Sequence, residues 1–253
     1  MNAAAPHAIY LKDYTVSDFL IDETHLNFQL SEIAATVTSR LVMRRNPAGN
    51  ASAELKLDGK ELSTRRLAIN GRTLDKSEFT INDDILHIHT ALPDRFELES
   101  IVMIKPHLNT SLEGLYKSRT MFCTQCEAEG FRKITWYLDR PDVMSVFTVT
   151  VLADAQLYPA LLSNGNLADK GTLANGMQWA TWHDPFKKPC YLFALVAGNL
   201  RPVDDHFITA SGRRVLLRIY VEDKDLAKCG HAMTSLKNAM TWDEKNYGCE
   251  YDL

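Results

Sequence analysis

Between Leu112 and Pro141 the chain reads LEGLYKSRTMFCTQCEAEGFRKITWYLDRP, and this stretch gathers the groups best suited to hold a ligand. Gln125 and Glu127 stand two residues apart, so on an extended backbone both side chains project to one side. A carboxylate beside an amide oxygen suits an ammonium group, because one supplies charge and the other a directed acceptor. The same residues read equally as a structural corner in which Glu127 pairs with Arg132 or Arg119 and holds the loop. Residue types alone leave both readings open.

Other chemistries find less support. No histidine sits in an H-E-x-x-H frame, which would put two imidazoles on one helix face with a glutamate between them. His87 and His89 share a face if the segment is a strand; that spacing can start a metal site, but an ordinary exposed sheet face explains it as well. Cys123 and Cys126 form a C-x-x-C pair, yet no second close Cys or His pair accompanies it, and no βαβ context favours a thiol oxidoreductase. No G-x-S-x-G elbow and no glycine-rich phosphate loop appears.

The elements that must position these residues read mostly as strands. Leu26, Phe28 and Leu30 alternate with polar neighbours, as do Ile33, Ala35, Val37, Ser39, Leu41 and Met43. Leu98, Val102 and Ile104 share one face of a further strand, and Phe147, Val149 and Val151 mark another. Asn70-Gly71, Asn164-Gly165 and Asn175-Gly176 supply the positive φ angles of tight turns; 46–50 and 82–84 are also turn-rich. Tyr191 to Ala197 is a continuous apolar run, expected as a strand buried on both faces and closed by Gly198. Val215, Leu217, Ile219 and Val221 alternate again; then Met233, Leu236, Met240 and Tyr247 form an amphipathic helical stripe that Gly248 is placed to end. Cys249 to Leu253 reads as a nascent strand. Many short strands favour an antiparallel sandwich or a bent double sheet.

In order, Leu112-Glu-Gly-Leu-Tyr116, Thr124-Gln125-Cys-Glu127-Ala128, Arg132, Asp139-Arg-Pro141 and Phe147 resemble the bacterial branch of the aminopeptidase N family. Leu162-Ser-Asn-Gly165, Asp184-Pro185, Tyr191 to Gly198, Ala232 to Asn238, Trp242-Asp-Glu244 and Tyr251-Asp-Leu253 fit the same family. The resemblance implies a mainly β fold: a saddle-like antiparallel β-sandwich over 1–199, then over 200–253 the truncated start of a thermolysin-like catalytic domain, a small sheet plus helix. It implies a zinc exopeptidase whose metal ligands and general base lie beyond residue 253, so that the fragment itself is inactive. Substrates would be peptides with a free N-terminus, and the remainder of its own catalytic domain would be a partner. Glu127 would bind the substrate's α-amino group across the domain boundary and Gln125 would line the same pocket, with Glu129 and Arg132 left as structural. A leukotriene hydrolase-like cousin shares the Gln125-x-Glu127 element, and a stand-alone β-sandwich binding module remains the alternative outside the family.

Composition agrees with a globular protein. The chain has 253 residues, 45% of them hydrophobic, and a net charge of -4, which gives no electrostatic reason to expect nucleic acid or an anionic membrane as partner. No apolar stretch is long enough to span a bilayer, and the N-terminus lacks the basic and apolar regions of a signal peptide. Five cysteines, an odd number, fit reduced thiols and a cytoplasmic location.

Overall fold

A computed structural model describes residues 10–253. In chain order the strands are β1 (Phe19–Leu30), β2 (Ala35–Arg45), β3 (Leu55–Asp58), β4 (Ser63–Ile69), β5 (Arg72–Thr73), β6 (Phe79–Asn82), β7 (Ile85–Ile88) and β8 (Arg95–Ile104). There follow β9 (Gly114–Ser118), β10 (Met121–Gln125), β11 (Met144–Asp154), β12 (Ala160–Ser163), β13 (Asn166–Thr172), β14 (Met177–Pro189), β15 (Leu195–Gly198), β16 (Arg201–Ile208) and β17 (Arg214–Val221). One long helix, α1 (Cys229–Tyr247), comes last.

Eight strands form one sheet in the order β13-β14-β11-β1-β2-β8-β4-β5. The mainly β, multi-sheet class expected from the sequence is the class found. Pairing is antiparallel throughout this sheet except at its middle, where β1 and β11 run parallel with Thr24 opposite Phe147 and Phe28 opposite Val151. Two smaller sheets, β3-β7-β6 and β12-β15-β10-β9, share a single hydrophobic cluster with the inner face of the large one. Strict alternation makes this possible: Ala35, Val37, Ser39, Leu41 and Met43 are all buried on one side of β2. The opposite face of the large sheet is charged. Arg40 pairs with Glu97 (2.7 Å), Arg66 with Glu99 (2.9 Å), and Arg44, Arg95 and Lys187 surround Asp22. Such exposed pairs add little stability and serve chiefly to keep that face in water.

Three expectations change. Ile33 is 74% exposed in the bend before β2, because Ser31 and Ala34 close a tight turn there and the alternation starts only at Ala35. The Tyr191–Ala197 run is not one strand. Phe193 N–H bonds to Cys190 O, making a 3-10 turn over Cys190–Leu192, and strand geometry begins at Leu195. Asn164 fixes that bend, donating to Leu192 O and accepting from Ala194 N–H. Residues 249–253 form no strand; Glu250 is tied instead to Ser211, and Arg213 reaches Leu253 O (3.2 Å).

Val215, Leu217 and Met233 form a second, small cluster, against which Phe207, Ile219 and Met240 pack. It is the core of the β16–β17 hairpin and α1, and is distinct from the large one. Gly248, at φ 65°, ends α1 by donating its N–H to Glu244 O (3.1 Å). Among the described residues no helix is long and apolar enough to cross a membrane.

Candidate functional site

The β9–β10 hairpin delivers the ligand-binding candidates. Its register sets Met121 opposite Ser118 and Gln125 opposite Gly114. On its other side β10 joins β15 through Phe122 and Cys123, and Leu195 N–H then bonds to the Thr124 hydroxyl (2.8 Å) instead of a β10 carbonyl. Pairing with β15 therefore goes no further than Cys123, while pairing with β9 ends at Gln125. Cys126 drops into the core, and the backbone turns over residues 127–130, with a cis peptide between Glu127 and Ala128. Gly130 N–H closes the turn on Cys126 O (2.8 Å), and a short 3-10 segment, Phe131–Lys133, follows.

Below the turn lies an aromatic cluster. Phe131 packs edge-on against Tyr137, Phe147 and Phe193, with ring centroids 4.6, 6.2 and 5.4 Å away. Trp136 lies over Gly59, where a Cβ would come within 2.2 Å of the ring, and its indole N–H donates to Thr64 (2.9 Å). These contacts put the turn on a rigid floor.

Arg132 is committed to that floor. Its Nε and its backbone N–H both donate to Asp139 Oδ2, at 2.9 and 3.1 Å, and its Nη2 lies 3.3 Å from Glu129. Burial works against the Arg132 charge, but the bond to Asp139 and the fields of Asp58, Asp139 and Glu129 outweigh it and raise its pKa. Burial also raises the Asp58 carboxyl, against the pull of Arg132.

Glu127 and Gln125 are both exposed. They are neighbours, though not along an extended strand: the turn intervenes, and Gln125 Nε2 donates to Glu127 O (3.3 Å). Among the described residues no cation pairs with the Glu127 carboxylate; Arg132 is held by Asp139 and Glu129, and Arg119 makes no ion pair. The corner reading in which either arginine neutralises Glu127 is not the arrangement found. The residue is exposed and is mounted on a turn closed by the Gly130–Cys126 backbone bond.

The other sequence candidates go elsewhere. His87 and His89 both turn Nδ1 toward one carboxylate, Glu54, and His89 Nε2 meets Thr80 Oγ1 (3.0 Å). Among the described residues no group of three His, Cys, Asp or Glu side chains is placed to hold a metal. Burial, followed by the nearby Asp139 charge, pushes the Cys126 thiol far up, the opposite of what a redox-active thiolate needs. A broad groove between β13–β14 and the β17–α1 unit, lined by Trp179, Trp182, Leu217, Leu236 and Met240, contains no carboxylate, histidine or cysteine. Its apolar surface is edged by Lys170, Arg213, Arg214 and Arg218, with no carboxylate side chain to meet an ammonium group.

The model of the peptidase M1 N-terminal domain matches residues 21–192, which hold the large sheet, the hairpin and the turn. The chain belongs to the peptidase M1 family. It is 48% identical to aminopeptidase N of Escherichia coli over 250 residues, 98% of this chain and 28% of that protein. Aminopeptidase N of Caulobacter vibrioides is 46% identical over 253 residues, 100% of this chain and 29% of that protein. A crystal structure of Legionella pneumophila aminopeptidase A in complex with aspartic acid superposes with a TM-score of 0.91 at 34% identity, covering 96% of this chain and 29% of that one. The chain thus spans less than a third of the length of these relatives. The M1 domain match ends within the bend at Cys190–Leu192, and the β16–β17 hairpin and α1 lie beyond it.

Sequence reasoning gave no role to Asp139 or Gly130, on which the turn depends. Asp139 was visible as an aspartate seven residues after Arg132 and just before Arg140-Pro141, but only its burial shows that it must be paired.

Proposed function

We propose that this chain is the N-terminal part of a zinc aminopeptidase that releases N-terminal amino acids from peptides, and that Glu127 grips the substrate's free α-amino group with Gln125 lining the same pocket. One observation carries the reading: among the described residues Glu127 is an exposed carboxylate with no ion-pair partner, on a turn whose guanidinium, that of Arg132, is bound by Asp139 and Glu129. A fixed carboxylate facing an ammonium sets the register of a peptide, so that only its terminal bond reaches the reacting centre. Family membership and the named relatives support the peptidase class.

No set of described residues fits zinc, since the nearest approach to one, Glu54 with His87 and His89, satisfies itself by hydrogen bonds. The metal and the proton-shuttling base are therefore assigned to the remainder of the protein, and this chain alone is expected to be inactive. The separate small core of β16, β17 and α1 supports a division near residue 199, with 200–253 opening the catalytic domain. Five free thiols support a cytoplasmic location.

The test is Glu127→Ala in the full-length enzyme. A charge-assisted hydrogen bond of this kind is worth about 1.5–3 kcal/mol, so kcat/KM on amino-acid anilides should fall about ten- to a hundredfold while zinc content stays normal. Unchanged kinetics would return Glu127 to a surface role.

A further inference from the structure

We infer that Asp139 and Gly130 are positioning residues that fix where the Glu127 carboxylate stands; this rests on the ammonium-binding reading above. Neither side chain is a ligand. Asp139 has 1% of its side chain exposed and acts from beneath. Its Oδ2 takes the Arg132 backbone and Nε donors, and its Oδ1 takes the Cys190 thiol (3.1 Å). Its own N–H donates to Asp58 Oδ2 (3.2 Å), while Lys60 N–H donates to Arg132 O (2.8 Å). One buried aspartate thus ties the end of the turn to β3 through its backbone N–H and to the 190–192 bend through its carboxylate.

Gly130 acts by occupying no space. Its φ of -85° suits any residue, so backbone freedom is not the reason for glycine here. A Cβ at this position would stand 2.5 Å from Gln125 O, 2.9 Å from Gly114 N and 3.1 Å from Cys126 Cα, all backbone atoms. The turn therefore closes flat against the end of β10 and the start of β9. Widening it by one methyl moves the residues between Gln125 and Gly130, among them Glu127. A displacement of about 1 Å is enough to cost on the order of a hundredfold in an oriented reaction.

The experiment is a pair of double-mutant cycles in the full-length enzyme: Gly130→Ala and Asp139→Asn, each alone and combined with Glu127→Ala, with kcat/KM read on an amino-acid anilide. Each single variant should lose about ten- to a hundredfold with zinc content unchanged. In the Glu127→Ala background the further loss should shrink to less than about twofold, because the group being positioned is gone. A full loss repeated in that background, or wild-type kinetics of Gly130→Ala, overturns the inference while leaving the role of Glu127 intact. Wild-type kinetics of Glu127→Ala alone overturns both. Gly130→Ala deletes no hydrogen bond, and it decides the matter if Asp139→Asn does not fold.

Discussion

Three buried hydroxyls form a chain at the parallel seam of the large sheet, Thr24 and Ser145 on its two strands and Tyr137 beside them, and their order makes a quantitative prediction. Ser145 Oγ donates to Val146 O (3.2 Å), so it must accept from Thr24 Oγ1 (2.8 Å), which in turn accepts from Tyr137 OH (2.9 Å). Tyr137, Thr24 and Ser145 are each fully buried, and burial pushes the phenol pKa far up, so the tyrosine remains a donor. Tyr137→Phe removes the first donor and orphans nothing, since Thr24 still donates to Ser145; the cost should be about 1 kcal/mol. Thr24→Val, nearly isosteric, removes the hydroxyl that accepts from Tyr137, leaving Ser145 as its remaining side-chain partner, and should cost about 1–3 kcal/mol. Combining the two removes the hydroxyl that lost its Thr24 acceptor, so the double variant should cost no more than Thr24→Val alone, about 1 kcal/mol or more below the sum of the singles. Urea unfolding of the four proteins, compared at constant m value, measures this. Additivity within about 0.3 kcal/mol would show that the hydroxyls do not act as a chain.

Two further outcomes follow from charge and burial. Glu78 sits at about 2 because it accepts from the Arg72 guanidinium and the Asp75 N–H; a depressed carboxyl stabilises above its unfolded value of 4.5 and ceases to as pH falls through its folded value. Glu78→Gln should therefore flatten the fall in Tm between those two pH values, and identical slopes for both proteins would refute the assignment. Cys249 is exposed whereas Cys126 and Cys190 are buried beside Asp139 with raised pKa values, so a maleimide should modify Cys249 in the native protein and the other two only on unfolding; native-state labelling of Cys126 at the Cys249 rate, read by peptide mass, would contradict this.

What the sequence discloses is what short-range physics dictates. The alternation from Ala35 to Met43 yields β2, the positive-φ pairs at Asn70-Gly71 and at Asp83-Asp84 make turns, and Gly248 closes α1. Pairing between distant segments is not written locally: nothing in the pattern of Leu26 and Phe28 says that Val149 and Val151 run beside them in the same direction. The Tyr191–Ala197 run misleads because apolar content reports burial, whereas its bend comes from polar tethers at Cys190 and from Asn164. Gln125 and Glu127 were legible as a pair by residue type. Their proximity is produced by a turn, and the groups that shape it, Asp139 and Gly130, are recognisable only once burial and close approach are seen.

The parallel junction of β1 and β11 bears on how the chain is born. Strands β2, β8, β4 and β5 can assemble on β1 by antiparallel pairing as soon as residue 104 has left the ribosome. The other edge of β1 then waits, its amides and carbonyls unsatisfied, until β11 emerges some forty residues later. Joining the two half-sheets is a loop closure of long span, the slow class of folding event, and it comes at the moment when an open edge is most apt to recruit a neighbouring nascent chain.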